Sequence, residues 1–153
     1  MQPTNPNQFT EKAWSAIART PDIAKQAQQQ QIHSEHLMMA LLEQDGLANS
    51  IFTKLGVNTQ TLRDRTEAFI RSQPQVSSSG SSSVYLGQSL DQLLDRADQH
   101  RKDYGDDYIS IEHLILSYAK DERFGKTLFQ EFNVDRKTLK QAIQEIRGNQ
   151  KVT

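Results

Sequence analysis

Two stretches of this chain concentrate the side chains that could hold a metal or move a proton: Ile32-His33-Ser34-Glu35-His36-Leu37 and Ile109-Ser110-Ile111-Glu112-His113-Leu114. His33 and His36 stand one helical turn apart, a spacing that would let two imidazoles meet one zinc ion. Zinc needs further ligands, none falls at a recognisable spacing, and the second stretch has Ser110 where the first has His33. A packing or surface role therefore suits these histidines better than metal binding. Asp103, Asp106, Asp107 and Glu112 crowd around Gly105, which raises a carboxylate pair or a cation loop. A calcium loop alternates its oxygen ligands around a central glycine and closes on a bidentate glutamate, and that spacing is absent. The cluster reads as a solvated turn followed by a glutamate in the first turn of a helix, where the dipole favours negative charge. With no cysteine, no Gly-x-Ser-x-Gly and no phosphate loop of the Gly-x-x-x-x-Gly-Lys-Ser/Thr kind, neither catalysis nor nucleotide binding is expected of this chain, and neither is a cofactor or a metal.

The two stretches belong to something larger. At a constant offset of 77 residues, Phe9 falls on Leu86, Arg19 on Arg96, Lys25 on Lys102, Glu35 on Glu112, His36 on His113, Phe52 on Phe129, Val57 on Val134 and Leu62 on Leu139. Unrelated helical segments would need insertions to keep that register, so the chain is one unit written twice. Function is to be sought in the seam between the copies and in what they do not share.

At 153 residues the chain can bury a real core, and one domain of two halves is the default. Hydrophobic residues make up 35% and mean hydropathy is -0.72, so the apolar side chains must be concentrated on helix faces. The net charge of -1 is made of interspersed signs, which gives no basic footprint for nucleic acid and no polybasic run for a membrane surface. Absence of cysteine is compatible with a reducing compartment. Met1 to Gln8 is polar, without the apolar centre of a signal peptide, and a cytoplasmic location is the expectation.

The periodicity predicts an all-α fold of two four-helix halves related by a pseudo-twofold axis, packed into one domain. Residues 1–8 are expected to be disordered or extended, 9–72 to form the first repeat, 73–84 a Ser/Gly-rich connector and 85–148 the second repeat. Thr10 can cap a helix carrying Ala13, Trp14 and Ile17. Thr20-Pro21-Asp22 predicts a bend or break, with helix resuming through the glutamines Gln28 to Gln31 as a solvated helix end. Leu37, Met38, Leu41 and Leu42 mark a broad buried stripe, ended at Asp45-Gly46. Helices from Leu47 and from Thr59 follow. In the second copy Leu90, Leu93, Leu94 and Ala97 share a face, Gly105 stops their helix, Ser110 and Asp135 can cap the next ones, and Leu139, Ala142, Ile143 and Ile146 line the inner face of the last. No segment alternates long enough to predict a strand.

The repeat and its motifs resemble the N-terminal domain of the ClpB-type AAA+ ring disaggregases, the double Clp repeat. The residues that carry the resemblance are Phe9-Thr10-Glu11-Lys12-Ala13, Ile32-x-Ser34-Glu35-His36-Leu37, Leu55-Gly56-Val57, Val84-Tyr85-Leu86, Tyr104 through Leu114 and Asn133-Val134-Asp135. The resemblance runs from about Phe9 to Arg147, and the Ser/Gly connector favours the ClpB branch over the Clp protease-chaperone subunits. The resemblance implies a mobile domain tethered to two ATPase modules in a homo-hexamer, recruiting unfolded or aggregated polypeptide during stress. ATP and magnesium would belong to those modules, with residues 149–153 as the start of the linker to them. The isolated domain is expected to be a monomer. Family members hold substrate in an apolar groove near the seam, flanked by polar residues whose matches here are Thr10, Asp106 and Glu112. Ala13, Ala16 and Leu94 are candidates for the groove wall, each equally suited to the core. A docking module for a specific folded adaptor, as in the protease-linked relatives, is the alternative.

Overall fold

The structure, a computed structural model, describes residues 5–76, 83–148, 150 and 152. Among them are eight α-helices in two quartets: α1 (Glu11–Gln26), α2 (Ser34–Glu43), α3 (Leu47–Lys54) and α4 (Thr59–Ser72), then α5 (Gln88–Tyr104), α6 (Ile111–Tyr118), α7 (Gly125–Glu131) and α8 (Arg136–Arg147). Caps start them where the side chains offer an acceptor to an orphan backbone N–H: Thr10 Oγ1 takes that of Ala13, Asn58 Oδ1 that of Thr61 and Asp135 Oδ1 that of Thr138. Gly105, at φ 70°, ends α5 in the left-handed region.

The quartets interlock rather than sit side by side. A two-stranded parallel pairing joins β1 (Gln31–Ile32) to β2 (Tyr85–Leu86), and its counterpart is the bridge of Phe9 with Ile109. Each segment preceding a first helix thus pairs with the segment preceding the other copy's second helix. Such reciprocal contact, i with j and j with i, is the signature of a twofold relation. Phe52 and Phe129, equivalent residues, meet edge-on with centroids 5.8 Å apart, which puts them at the axis. The core runs without interruption across both halves and includes Leu37, Leu41, Leu93, Leu94, Leu114 and Tyr118, all buried.

Four expectations are corrected. Helix α1 continues through Pro21 without a break. Proline cannot donate to the Ile17 carbonyl, but the Thr20 hydroxyl does so at 2.7 Å, so the acceptor stays satisfied inside the core. The glutamines are not a helix end: α1 stops at Gln26, Gln28 adopts φ 58°, and Gln31 enters β1. Short strands therefore exist where none was expected. Within 1–8, Pro6–Gln8 forms a 3-10 helix capped by Asn5, while residues 1–4 lie outside the described residues. Most of the connector expected at 73–84 lies outside them too, although Val76 donates to the Gln28 carbonyl at 2.7 Å.

Candidate functional site

The repeated Glu-His pair opens the second helix of each quartet. His36 Nδ1 accepts the His33 backbone N–H at 2.9 Å and its Nε2 faces Gln29 Oε1 at 2.6 Å. His113 repeats this, with the Ser110 N–H at 2.8 Å and Asp106 Oδ2 at 2.7 Å. A ring nitrogen that accepts from an amide carries a lone pair, so both imidazoles are neutral and donate through Nε2. Their burial works in the same direction, lowering His36 to about 4 and depressing His113 although carboxylates face it. Both nitrogens of His36 are engaged, and His33 Nδ1 lies 2.8 Å from Ser89 Oγ. The pair acts as a staple between a helix start and the turn before it. No group of three metal-binding side chains converges among the described residues.

In the second quartet the staple is part of a charged cluster. Arg147 donates to Asp106 Oδ1 at 2.8 Å, to Asp106 Oδ2 at 2.9 Å and to Glu112 Oε2 at 3.2 Å, and its guanidinium sits 4.7 Å over the Tyr104 ring. Burial alone would raise the Asp106 carboxyl; hydrogen bonds from Arg147, the Val152 N–H and His113 outweigh it and hold it at about 2. Glu112 also accepts from the Ser110 hydroxyl. The C-terminal segment is pinned to the cluster by Val152 N–H to Asp106 at 3.0 Å and by Asp107 N–H to the Val152 carbonyl at 2.7 Å.

Above this cluster an open groove of about 550 Å³ runs between the starts of α1, α3 and α6 and the end of α8. Leu47, Ile51, Ile111, Ile143, Ile146 and Val152 form its apolar wall, and Thr10, Glu11, Lys12, Ser110, Glu112 and Arg147 its polar border. Thr10 and Glu112 thus reach the groove. Asp106 does not: it is 2% exposed and touches the border through Arg147. Ala13, Ala16 and Leu94 lie in the core at 0%, 1% and 0% exposure and form no part of the groove wall. Ile146, which the periodicity put on the inner face of α8, is 39% exposed in the groove. Arg147 and Val152 were missed; an arginine at a helix C-terminus gives no sign in sequence of the two carboxylates it will join.

A helical duplication with an apolar groove beside its seam defines a class of all-α repeat domains, and known proteins narrow it. The Clp repeat (R) N-terminal domain matches residues 8–132. Chaperone protein ClpB 2 of Nostoc sp. is 69% identical over 153 residues, all of this chain and 17% of the relative. The chloroplastic chaperone protein ClpB3 of Arabidopsis thaliana is 49% identical over 146 residues, 95% of this chain and 15% of the relative. Among solved structures, the Hsp104 N-terminal domain from Candida albicans superposes with a TM-score of 0.82 at 20% identity, covering 95% of both chains. The chain belongs to the Clp repeat N-terminal domain family, in its ClpB-type branch, and spans about 17% of the length of the Nostoc relative. No helix among the described residues is long and apolar enough to cross a membrane.

Proposed function

We propose that this domain captures unfolded or aggregated polypeptide for a ClpB-type disaggregase, holding an apolar segment in the groove bordered by Thr10 and Glu112. The observation that carries this is the groove itself: an open recess of about 550 Å³ with an apolar wall, in which Ile146 stays 39% exposed, marks a contact surface. Two or three client side chains seated there gain roughly 1.5–3 kcal/mol each when fully buried. Ordering the segment and losing its translational freedom takes back several kcal/mol, which leaves affinity on the order of micromolar or weaker. A client that must be handed to a pore is served by weak binding. Asp106 acts from behind, by holding Arg147 and the Val152 segment that form part of the border. ATP hydrolysis, with its magnesium, and threading belong to hexameric ATPase modules outside this chain. The domain works in the cytoplasm and does not itself catalyse.

The test is amide NMR of this chain titrated with carboxymethylated, unfolded α-lactalbumin and then with the native protein. Shifts at Thr10, Leu47, Ile51 and Glu112 for the unfolded form alone are expected. Silence toward it, with tight stoichiometric binding to a folded partner instead, would establish the domain as an adaptor-docking module.

A further inference from the structure

The internal twofold carries the open groove onto a second place on the molecule, and there the same positions are filled. Leu47 corresponds to Phe124, Ile146 to Phe69, Ile51 to Leu128, Ile143 to Thr66 and Gly46 to Arg123. Phe69 and Phe124 stack with centroids 4.2 Å apart at an interplanar angle of 20°, while Leu128 and Thr66 are buried on this side as Ile51 and Ile143 are on the other. Arg123 donates from Nε to Glu35 Oε1 at 2.9 Å, from Nη2 to Oε2 at 3.1 Å, and from Nη2 to Gln73 Oε1 at 3.3 Å. What stays open beside them is a polar cleft of about 410 Å³ bordered by Gln30, Gln31, His33 and Tyr85.

The direction from which each buried glutamate receives its cation separates the two sides. A buried carboxylate must be paired. Glu112 is paired by Arg147 on α8, which is itself only 9% exposed and leaves the groove clear. The position equivalent to Arg147 is Ile70, which offers no charge, so Glu35, fully buried, takes Arg123 from the turn before α7. On the other side that turn position is Gly46, where an added Cβ would meet nothing within 4 Å.

We infer that Arg123 and the Phe69–Phe124 stack are the built-in occupant of a second, repeat-related groove, and that Gly46, Leu47 and Ile146 direct the unfolded segments proposed above to the Thr10/Glu112 groove. This rests on that reading of function. Binding is selected by which of two related sites the chain leaves unfilled.

The experiment grafts the occupant onto the open side. The variant Gly46→Arg/Leu47→Phe/Ile146→Phe is titrated with carboxymethylated α-lactalbumin beside wild type, with Lys140→Ala, at an exposed position that borders neither groove, as control. Affinity falls by about tenfold or more in the graft and stays within about twofold for Lys140→Ala. Should the triple variant lose its dispersed amide spectrum, Gly46→Arg alone replaces it, with a fall of about threefold or more expected. The converse variant, Glu35→Gln/Phe69→Ile/Arg123→Gly, gains client-induced shifts at Gln31, His33 and Tyr85. Wild-type affinity in the folded graft, or an equal loss in Lys140→Ala, overturns the inference and leaves the proposed function standing. No binding by wild type removes the proposed function and this inference with it.

Discussion

Laid on each other by the internal twofold, the two quartets place left-handed backbone at the same points, Gln28 at φ 58° on Gly105 at 70° and Gly56 at 77° on Asn133 at 58°. The helix ends need those torsions, and glycine has been kept at only one of each pair. The histidine staples are equally alike, with Gln29 exchanged for Asp106 as the group facing Nε2. Charge pairing is where the halves part. The first quartet pairs its buried glutamate from the solvent side by Arg123, and the second pairs its own from within by Arg147. Backbone requirements survive duplication because every helix turn depends on them, whereas a buried charge can be compensated from any direction that brings a cation. That freedom let one groove fill and the other remain open.

The largest expected effect breaks the second pairing. Arg147→Met strands Asp106 and Glu112, both buried, and should cost about 3–5 kcal/mol, while Arg123→Met, at a side chain 30% exposed, should cost roughly 1–2 kcal/mol because water reaches Glu35 when the arginine goes. Urea midpoints of the two variants measure the difference, and equal losses would erase the contrast.

Packing at the start of α7 provides the next contrast. An added Cβ at Gly125 would lie 2.1 Å from the Tyr118 carbonyl oxygen, so Gly125→Ala should destabilise by about 3 kcal/mol or more, against roughly 1 kcal/mol for the reciprocal Ala48→Gly. Thermal unfolding of both proteins decides it.

Acid sharpens the comparison of the staples. His36 is neutral when folded with its pKa lowered from 6.5 to about 4, so the unfolded chain binds the extra proton between those values. Stability is then fully present above about pH 6.5 and falls by roughly 3 kcal/mol from this group as pH drops to 4. His36→Gln should flatten that slope by about one proton. Asp106, lowered from 3.8 to about 2, adds a separate loss as pH falls from 3.8 toward 2, which Asp106→Asn removes. Stability measured against pH in the three proteins tests both windows.

Tyr118 gives the smallest effect. Its buried hydroxyl donates to the Ser34 carbonyl at 2.5 Å, and the equivalent residue, Leu41, makes no such bond. Tyr118→Phe should cost about 1–2 kcal/mol by equilibrium unfolding, while Leu41→Met, which loses no hydrogen bond, should cost less than about 1.5 kcal/mol.

Much of this was readable from residue spacing, because helix faces, caps and a fixed repeat offset are local or periodic properties. Thr10 and Asp135 start helices whose first turns offer them a free N–H, and Gly105 stops one. The same locality misled at Pro21, where the residue just before it supplies the missing donor, and at Gln29, whose side chain finds Ile70 and His36 and becomes buried instead of solvated. Of the six positions proposed for the site, Thr10 and Glu112 border the groove, while the apolar ones, Ala13, Ala16 and Leu94, sit in the core. Small apolar residues on a helix face have the same pattern in both settings.

The chain by itself determined that there are two copies, that each is helical, and that an acidic residue and a histidine open the second helix of each. Tertiary structure decided which groove is open. The offset sets Gly46 against Arg123 and Ile70 against Arg147, but a cation's worth depends on how deeply its carboxylate is buried and from which side it can be reached. Those distances exist only once α3, α6 and α8 have packed, and they leave Glu112 paired beneath an open groove and Glu35 paired by the side chain that fills its own.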